Sequence, residues 1–331
     1  MFFKYDDSSV RYTGRFGEYA VENRLGEQSV SMTATACGAY FEIAFKGDYI
    51  ILHFEDKDLA DPRPNLWLQV DSSPRFETPI SAVIRVDGLS GGEHILKAVF
   101  KSAKGNAERY TLPLTSKMSF KGYEAKENSV LPEDNRKTIE LVGDSITEGC
   151  GLDHSNLREG RGMHDDIAPA LNDSLATYAY KMAEHYNLRP FYAAYGGVGV
   201  GITWSHDVPI AKEYYPYCFE GTPAKYSHPD YILLSYGTND WGNMTDEKFI
   251  ADYTEFLTIL RNTHKQSTII CVTPFKGRYK EQISKIIKDF NDNKVYCVEN
   301  EWGKDYDLHP TREEHAIIGE KLIEAVKDII K

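Results

Sequence analysis

Ser145 lies in Leu141-Val142-Gly143-Asp144-Ser145-Ile146-Thr147-Glu148-Gly149, an apolar strand run that breaks at a glycine and delivers a hydroxyl just past its end. A serine hydroxyl is a weak nucleophile at neutral pH and needs a base within about 3 Å. Of the ten histidines, His309 is best placed. It lies in Asp307-Leu308-His309-Pro310, just before a terminal helical pattern, where an α/β sheet returns a loop to its strand ends. Asp307 could hold the Nδ1 proton and leave Nε2 facing the serine. Acyl transfer also requires donors fixed on the developing oxyanion. Two further strand ends offer them. Tyr195-Gly196-Gly197-Val198-Gly199 has backbone N–H groups that glycine lets approach a ligand, and Tyr236-Gly237-Thr238-Asn239-Asp240-Trp241 carries the side-chain amide of Asn239. Taken singly, each is a turn, a tight corner or a helix cap. Together at four strand ends they make a site.

The elements that must present these residues are legible as a change of grammar along the chain. From residue 138 the pattern alternates strand and helix. Strands are predicted at 138 to 143, 190 to 195, 231 to 236, 268 to 273 and 294 to 298, and helices at Ser174 to His185, Asp246 to Thr263, Tyr279 to Asn291 and Thr311 to Ile330. The strands are apolar throughout rather than alternating, as expected of a parallel sheet covered on both faces. Right-handed crossovers then give a flavodoxin-like, three-layer α/β/α domain. Before residue 128 the signal has period two. Phe41 to Lys46, Leu66 to Val70 and Val83 to Val86 alternate and are separated by turns such as Lys46-Gly47-Asp48 and Ser90-Gly91-Gly92, the pattern of an antiparallel β-sandwich. The expected organisation is a sandwich over 1–127, a polar linker containing Pro132 over 128–136 and a catalytic domain over 137–331. The polar, Gly-rich stretch from Gly149 to Leu171, with His154, Arg158, Arg161, His164, Asp165 and Asp166, fits no metal-ligand spacing and reads as a solvated loop edging the cleft.

Composition narrows the partners. The 331 residues include 41% hydrophobic and 12% aromatic residues, with 22 Tyr and 4 Trp, so a folded core is expected. A net charge of -12 and the lack of a Lys/Arg cluster exclude nucleic acid as the main partner. No apolar run reaches membrane-spanning length. Five scattered cysteines (Cys37, Cys150, Cys218, Cys271 and Cys297) form no Cys-x-x-Cys pair and read as free thiols. Since Met1 to Asp7 lack the pattern of a secretory signal, the expected location is cytoplasmic. The oligomeric state is not legible.

Gly143-Asp144-Ser145, Gly197, Gly237-Thr238-Asn239-Asp240 and His309-Pro310 resemble, in order, the four blocks of the SGNH, or GDSL-type, hydrolases. That resemblance implies that Ser145 is the nucleophile, His309 the base, and Ser145, Gly197 and Asn239 the oxyanion hole. Arg11-Tyr12-Thr13-Gly14-Arg15-Phe16 and Gly88-Leu89-Ser90-Gly91-Gly92-Glu93-His94 in the upstream sandwich make the chain most similar to carbohydrate esterase family 2. Those enzymes join a jelly-roll domain to the hydrolase and remove acetyl groups from plant polysaccharides. Many SGNH hydrolases have Asp three residues before the histidine, where Tyr306 stands here. Asp307 matches the spacing of family 2, in which some members use a backbone carbonyl instead, so both ways of orienting His309 stay open. Trp241, Trp204 and Trp302 become sugar platforms, with Asp144 and Asp240 as further substrate contacts. The implied reaction is deacetylation of manno- or xylo-oligosaccharides without metal or organic cofactor. The rivals are a lipase or lysophospholipase acting on long acyl chains and a non-catalytic carbohydrate-binding protein.

Overall fold

The computed structural model describes residues 1–22, 26, 28–153, 168–225, 228–300, 302–303 and 309–331. Its first half is antiparallel. Strands Gln28–Ala34, Met118–Glu124, Tyr49–Phe54 and Val83–Asp87 lie side by side in one sheet, and Tyr40–Lys46, Glu93–Ser102, Asn65–Val70 and Phe76–Pro79 in the other. Period-two patterning becomes burial on one face: Tyr49–Phe54 and Asn65–Val70 both bury every second residue. The inward residues meet in one core, where Phe41 stacks on Phe120 at 4.2 Å among Phe45, Leu52, Leu66, Leu68, Leu96 and Phe100.

Residues 129–137 contain neither helix nor strand. After them comes a five-stranded parallel sheet, in the order Arg189–Ala194, Thr138–Gly143, Tyr231–Ser235, Thr268–Val272, Val295–Val298. Numbered along the chain this is 2-1-3-4-5, the order of doubly wound sheets whose ligands bind beyond the carboxyl ends of the strands. Alternation within each strand sends side chains to opposite faces. Val142, Ile232, Leu234 and Ile269 pack with Phe249, Tyr253 and Phe256 of helix Asp246–Thr263 and Ile283 of helix Lys280–Phe290. Ile139, Leu141, Leu233 and Ile270 pack with Tyr178 and Met182 of helix Tyr178–His185 and with Ile318 and Leu322 of helix Arg312–Val326. Both faces are therefore covered, which is why these strands read as unbroken apolar runs. Two helices differ from expectation. The segment predicted as one helix from Ser174 divides into a 3-10 turn, Ser174–Ala176, and an α-helix from Tyr178, because the Thr177 hydroxyl accepts from the Tyr180 N–H and starts a new helix. The last helix has the expected capping box of Thr311 and Glu314 but ends at Val326. Among the described residues no helix is long and apolar enough to cross a membrane.

The sandwich lies against the parallel-sheet half through apolar contacts, such as Tyr40 and Val99 with Leu175 and Tyr180, and through polar ones. Trp67 Nε1 donates to Asp173 at 3.0 Å, and Ser102 Oγ donates to the Pro169 carbonyl. Arg15 forms a buried ion pair with Glu140, at 2.9 Å, inside the first parallel strand. The helix packing also buries a histidine. His315 stacks on Tyr178, and its Nδ1 accepts the Tyr178 N–H at 3.1 Å, so the ring is held neutral. Burial, reinforced by His309 and Arg312, lowers its pKa to about 3. The unfolded chain takes up a proton there below its ordinary value of about 6.5, which the folded chain refuses, so this stability is present above pH 6.5 and lost as the pH falls. Between pH 6.5 and 5 this one group is expected to cost about 2 kcal/mol. Urea unfolding at the two pH values should show the drop, and His315→Gln should shrink it.

Candidate active site

Gly143 ends the first parallel strand where nothing larger fits: a Cβ there would stand 2.3 Å from Thr147 Oγ1 and 2.9 Å from the Ser235 carbonyl. The chain can therefore turn at once into a single helical turn, Ser145–Glu148, capped by the Asp144 carboxylate, which accepts from the Ile146 N–H at 3.0 Å. Ser145 is the first residue of that turn. Its Oγ lies 2.8 Å from His309 Nε2, delivered by the segment ahead of helix Arg312–Val326. In the tautomer that lets the hydroxyl donate, Nδ1 carries the ring proton. Asp307, expected to hold that proton, falls outside the described residues, as do His154, Arg158, Arg161, His164, Asp165 and Asp166.

The strand Arg189–Ala194 leads to Gly197, whose φ of 79° favours glycine and whose Cβ, if present, would lie 2.5 Å from the Ser205 nitrogen. The neighbouring Gly196 N–H is taken by Glu148 Oε2 at 2.7 Å, and the Gly197 carbonyl accepts the Trp204 N–H at 2.8 Å. The Gly197 N–H itself makes no hydrogen bond to any described residue. Asn239 gives one hydrogen of Nδ2 to the Val198 carbonyl at 2.9 Å, leaving the second for a ligand. Ser145, Gly197, Asn239 and His309 thus line one cavity of about 340 Å³. A larger cavity, about 630 Å³, lies beside Lys137, Asp230 and Ser267, at the amino ends of the strands and away from Ser145.

Other expected contacts sit differently. Asp144 is 2% exposed and Asp240 fully buried, so neither can meet a substrate. Asp144 caps the serine turn, and burial, partly offset by hydrogen bonds from Ile146 and Thr238, raises its pKa to about 7. Asp240 accepts the N–H groups of Val200 and Gly201 and so fixes the glycine loop from beneath. Trp302 packs against the core cluster that includes Tyr178 and Phe275 and does not line the cavity. Trp204 lines the cavity and is 63% exposed, with Nε1 donating to the Asn239 carbonyl at 3.3 Å. Trp241 is exposed but leans edge-on against Tyr279, outside the cavity lining. The sequence reading missed the opposite wall. Ala103, Gly105, Asn106 and Arg109 of the antiparallel half line the same cavity, together with Glu148 and Asn172. Of these only Glu148 shares a motif with Ser145, and a charge ending a short helix ordinarily reads as solvated. Cys150 also lines the cavity, and burial beside Glu148 holds it as a thiol. Among the described residues no group of three His, Cys, Asp or Glu side chains is placed to hold a metal.

A serine and a histidine in contact at the carboxyl edge of a doubly wound sheet, beside amide donors that no described residue engages, are arranged as an α/β/α hydrolase of the serine type would need them. Residues 141–317 match the model of the GDSL-like Lipase/Acylhydrolase family, and the chain belongs to that family. A curated acetylxylan esterase / glucomannan deacetylase from Cellvibrio japonicus (strain Ueda107) is 22% identical over 327 residues, covering 89% of this chain and 85% of that protein. A second protein of the same description and organism is 22% identical over 297 residues, covering 82% of this chain and 79% of its own length. The solved family two carbohydrate esterase from Cellvibrio japonicus superposes with a TM-score of 0.79 at 18% identity, covering 100% of this chain and 98% of that one. The family two esterase from Clostridium thermocellum in complex with cellohexaose gives 0.75 at 20%, covering 96% and 98%. The shared fold therefore includes the antiparallel half. Replacing Gly197 by Ala combines a disfavoured φ with a Cβ against Ser205, and is expected to lower kcat for p-nitrophenyl acetate by about 10- to 100-fold. Steady-state kinetics on folded protein, verified by circular dichroism, tests this.

Proposed function

We propose that the protein is a serine esterase that removes O-acetyl groups from plant-type oligosaccharides, such as acetylated manno- or xylo-oligosaccharides. The observation that carries the reading is the 2.8 Å contact of Ser145 Oγ with His309 Nε2 in a cavity also lined by Gly197, whose N–H no described residue engages. His309 takes the hydroxyl proton as Oγ attacks the acetyl carbonyl. The tetrahedral oxyanion is met by the N–H groups of Ser145 and Gly197 and by Asn239 Nδ2. Collapse returns the proton from His309 to the departing sugar hydroxyl and leaves an acetyl group on Ser145. Water, deprotonated by His309, then attacks that ester and releases acetate.

The relatives named acetylxylan esterase / glucomannan deacetylase support the substrate class. A cavity of about 340 Å³ with polar lining from Asn106, Ser205 and His206 suits an acetyl group on a sugar better than a long acyl chain. Trp204, which is exposed and lines the same cavity as Ser145, is the proposed sugar platform. In this reading the chain is a jelly-roll domain over 1–127, a linker over 128–136 and an SGNH domain over 137–331. The jelly roll is supported by the way most successive strands cross between the two antiparallel sheets, the exceptions being the pairs Gly17–Glu22 with Gln28–Ala34 and Asn65–Val70 with Phe76–Pro79. Five cysteines, all unpaired, support a reducing, cytoplasmic setting with imported oligosaccharides as substrate.

Ser145→Ala and His309→Ala should each lower acetate release by at least about 10⁴-fold, and parent-level activity in either overturns the mechanism. On a panel of acetylated oligosaccharides, Trp204→Ala should raise KM several-fold and leave turnover of p-nitrophenyl acetate nearly unchanged. Preference for decanoyl over acetyl esters would replace the substrate assignment with a lipase-like one.

A further inference from the structure

We propose that Arg109, carried by the antiparallel half, is a positioning residue for the oxyanion donor at Gly197 and acts through Glu148. Arg109 Nη2 lies 2.6 Å from Glu148 Oε1, and the two residues are 5% and 3% exposed. The guanidinium is itself fixed. Its Nε and Nη2 donate to the Thr35 carbonyl at 3.1 and 2.9 Å, and its Cζ lies 4.8 Å from the centre of the Tyr195 ring. The other oxygen of Glu148 accepts the Gly196 N–H at 2.7 Å. Two glycines in succession have little intrinsic preference for one conformation, so the direction of the Gly197 N–H depends on its neighbours.

Those neighbours are anchored on both sides. Before Gly197, the Gly196 N–H is held by Glu148; at Gly197 itself, the carbonyl is held by the Trp204 N–H. Both anchors lead back to Arg109 or the two residues after it. Arg109 binds Glu148, and the backbone N–H groups of Arg109, Tyr110 and Thr111 all donate to the carboxylate of Asp207, three residues beyond Trp204. Charge gives a second reason for the guanidinium. Glu148 lines the cavity in which negative charge develops on the ester oxygen, and an uncompensated carboxylate there would oppose that charge. Arg109 both aims this carboxylate at Gly196 and neutralises it, and it needs no contact with the reacting atoms to do so.

The inference rests on the reading of Ser145 as nucleophile and has its own test. Arg109→Met leaves the Glu148 charge unpaired and is expected to lower kcat for p-nitrophenyl acetate by about 10- to 100-fold with KM within about threefold. Arg109→Met/Glu148→Gln removes both charges while keeping an amide oxygen for the Gly196 N–H, and should recover most of the lost kcat. Melting and circular dichroism establish that the variants are folded. If Arg109→Met does not fold, Arg109→Lys, which keeps the charge without the planar fork, carries the comparison with the double variant. Unchanged kcat in the folded single variant, a loss confined to KM, or no recovery in the double variant overturns the proposal. Ser145→Ala, assayed alongside, separates the two readings. If it keeps activity, the serine mechanism itself falls. If it is inactive while Arg109→Met turns over at the parent rate, only the role of Arg109 falls.

Discussion

A carboxylate withdrawn from water must be met by a cation or by hydrogen-bond donors, and the contact between the two halves meets that requirement with two buried ion pairs. Glu140, inside the first parallel strand, is paired with Arg15 and also accepts from Tyr215. Glu148, at the end of the serine turn, is paired with Arg109 and accepts from Gly196. The two acids bracket the stretch that carries Ser145, and both cations come from the antiparallel half. A buried pair of this kind contributes little net stability compared with apolar packing, yet removal of one partner costs about 3–5 kcal/mol. Its effect is to define one docking geometry. The serine strand is thereby held in register with the sandwich as well as with its own sheet.

Much of this was legible in the sequence because it depends on local rules. A parallel strand covered on both faces has to be apolar on both, and all five were found within a residue or so of where they lie. Residues at the carboxyl ends of such strands converge whatever their separation, which is why Ser145, Gly197, Asn239 and His309 could be grouped across 164 positions of chain. The illegible part depends on surroundings that no motif encodes. Asp144 and Asp240 look like turn carboxylates and were expected to meet substrate, but only the assembled fold shows that each is buried and engaged by backbone N–H groups. Trp241 adjoins Asn239 in sequence, yet its ring turns to Tyr279. Trp204 reaches the cavity because the chain doubles back through the bridge between Val198 and Thr203. Arg109 carried no sequence signal: it lies in the other half of the chain and outside every motif.

The cavity thus has two walls with different duties. One is made of strand ends whose residues are fixed by the chemistry proposed for them. The other, from Ala103 to Arg109 and on to the Asp207 contact, is made of loop backbone and side chains that face the substrate space without touching the serine and histidine. Asn106 is exposed there, and Gly105 beside it is open to solvent. Changes at these two positions alter the shape offered to a sugar while leaving the serine turn, the glycine loop and the histidine where they are.

The direction of the two ion pairs also bears on how the chain is made. Arg15 and Arg109 are synthesised before Glu140 and Glu148, so the sandwich leaves the ribosome bearing two cations whose partners do not yet exist. Guanidinium groups tolerate that interval, since they stay charged and hydrated at any cellular pH. When the first parallel strand emerges, both guanidinium partners of its acids have already been translated, whereas Asp207 and Tyr215, which help to hold residues 109–111 and Arg15, follow later.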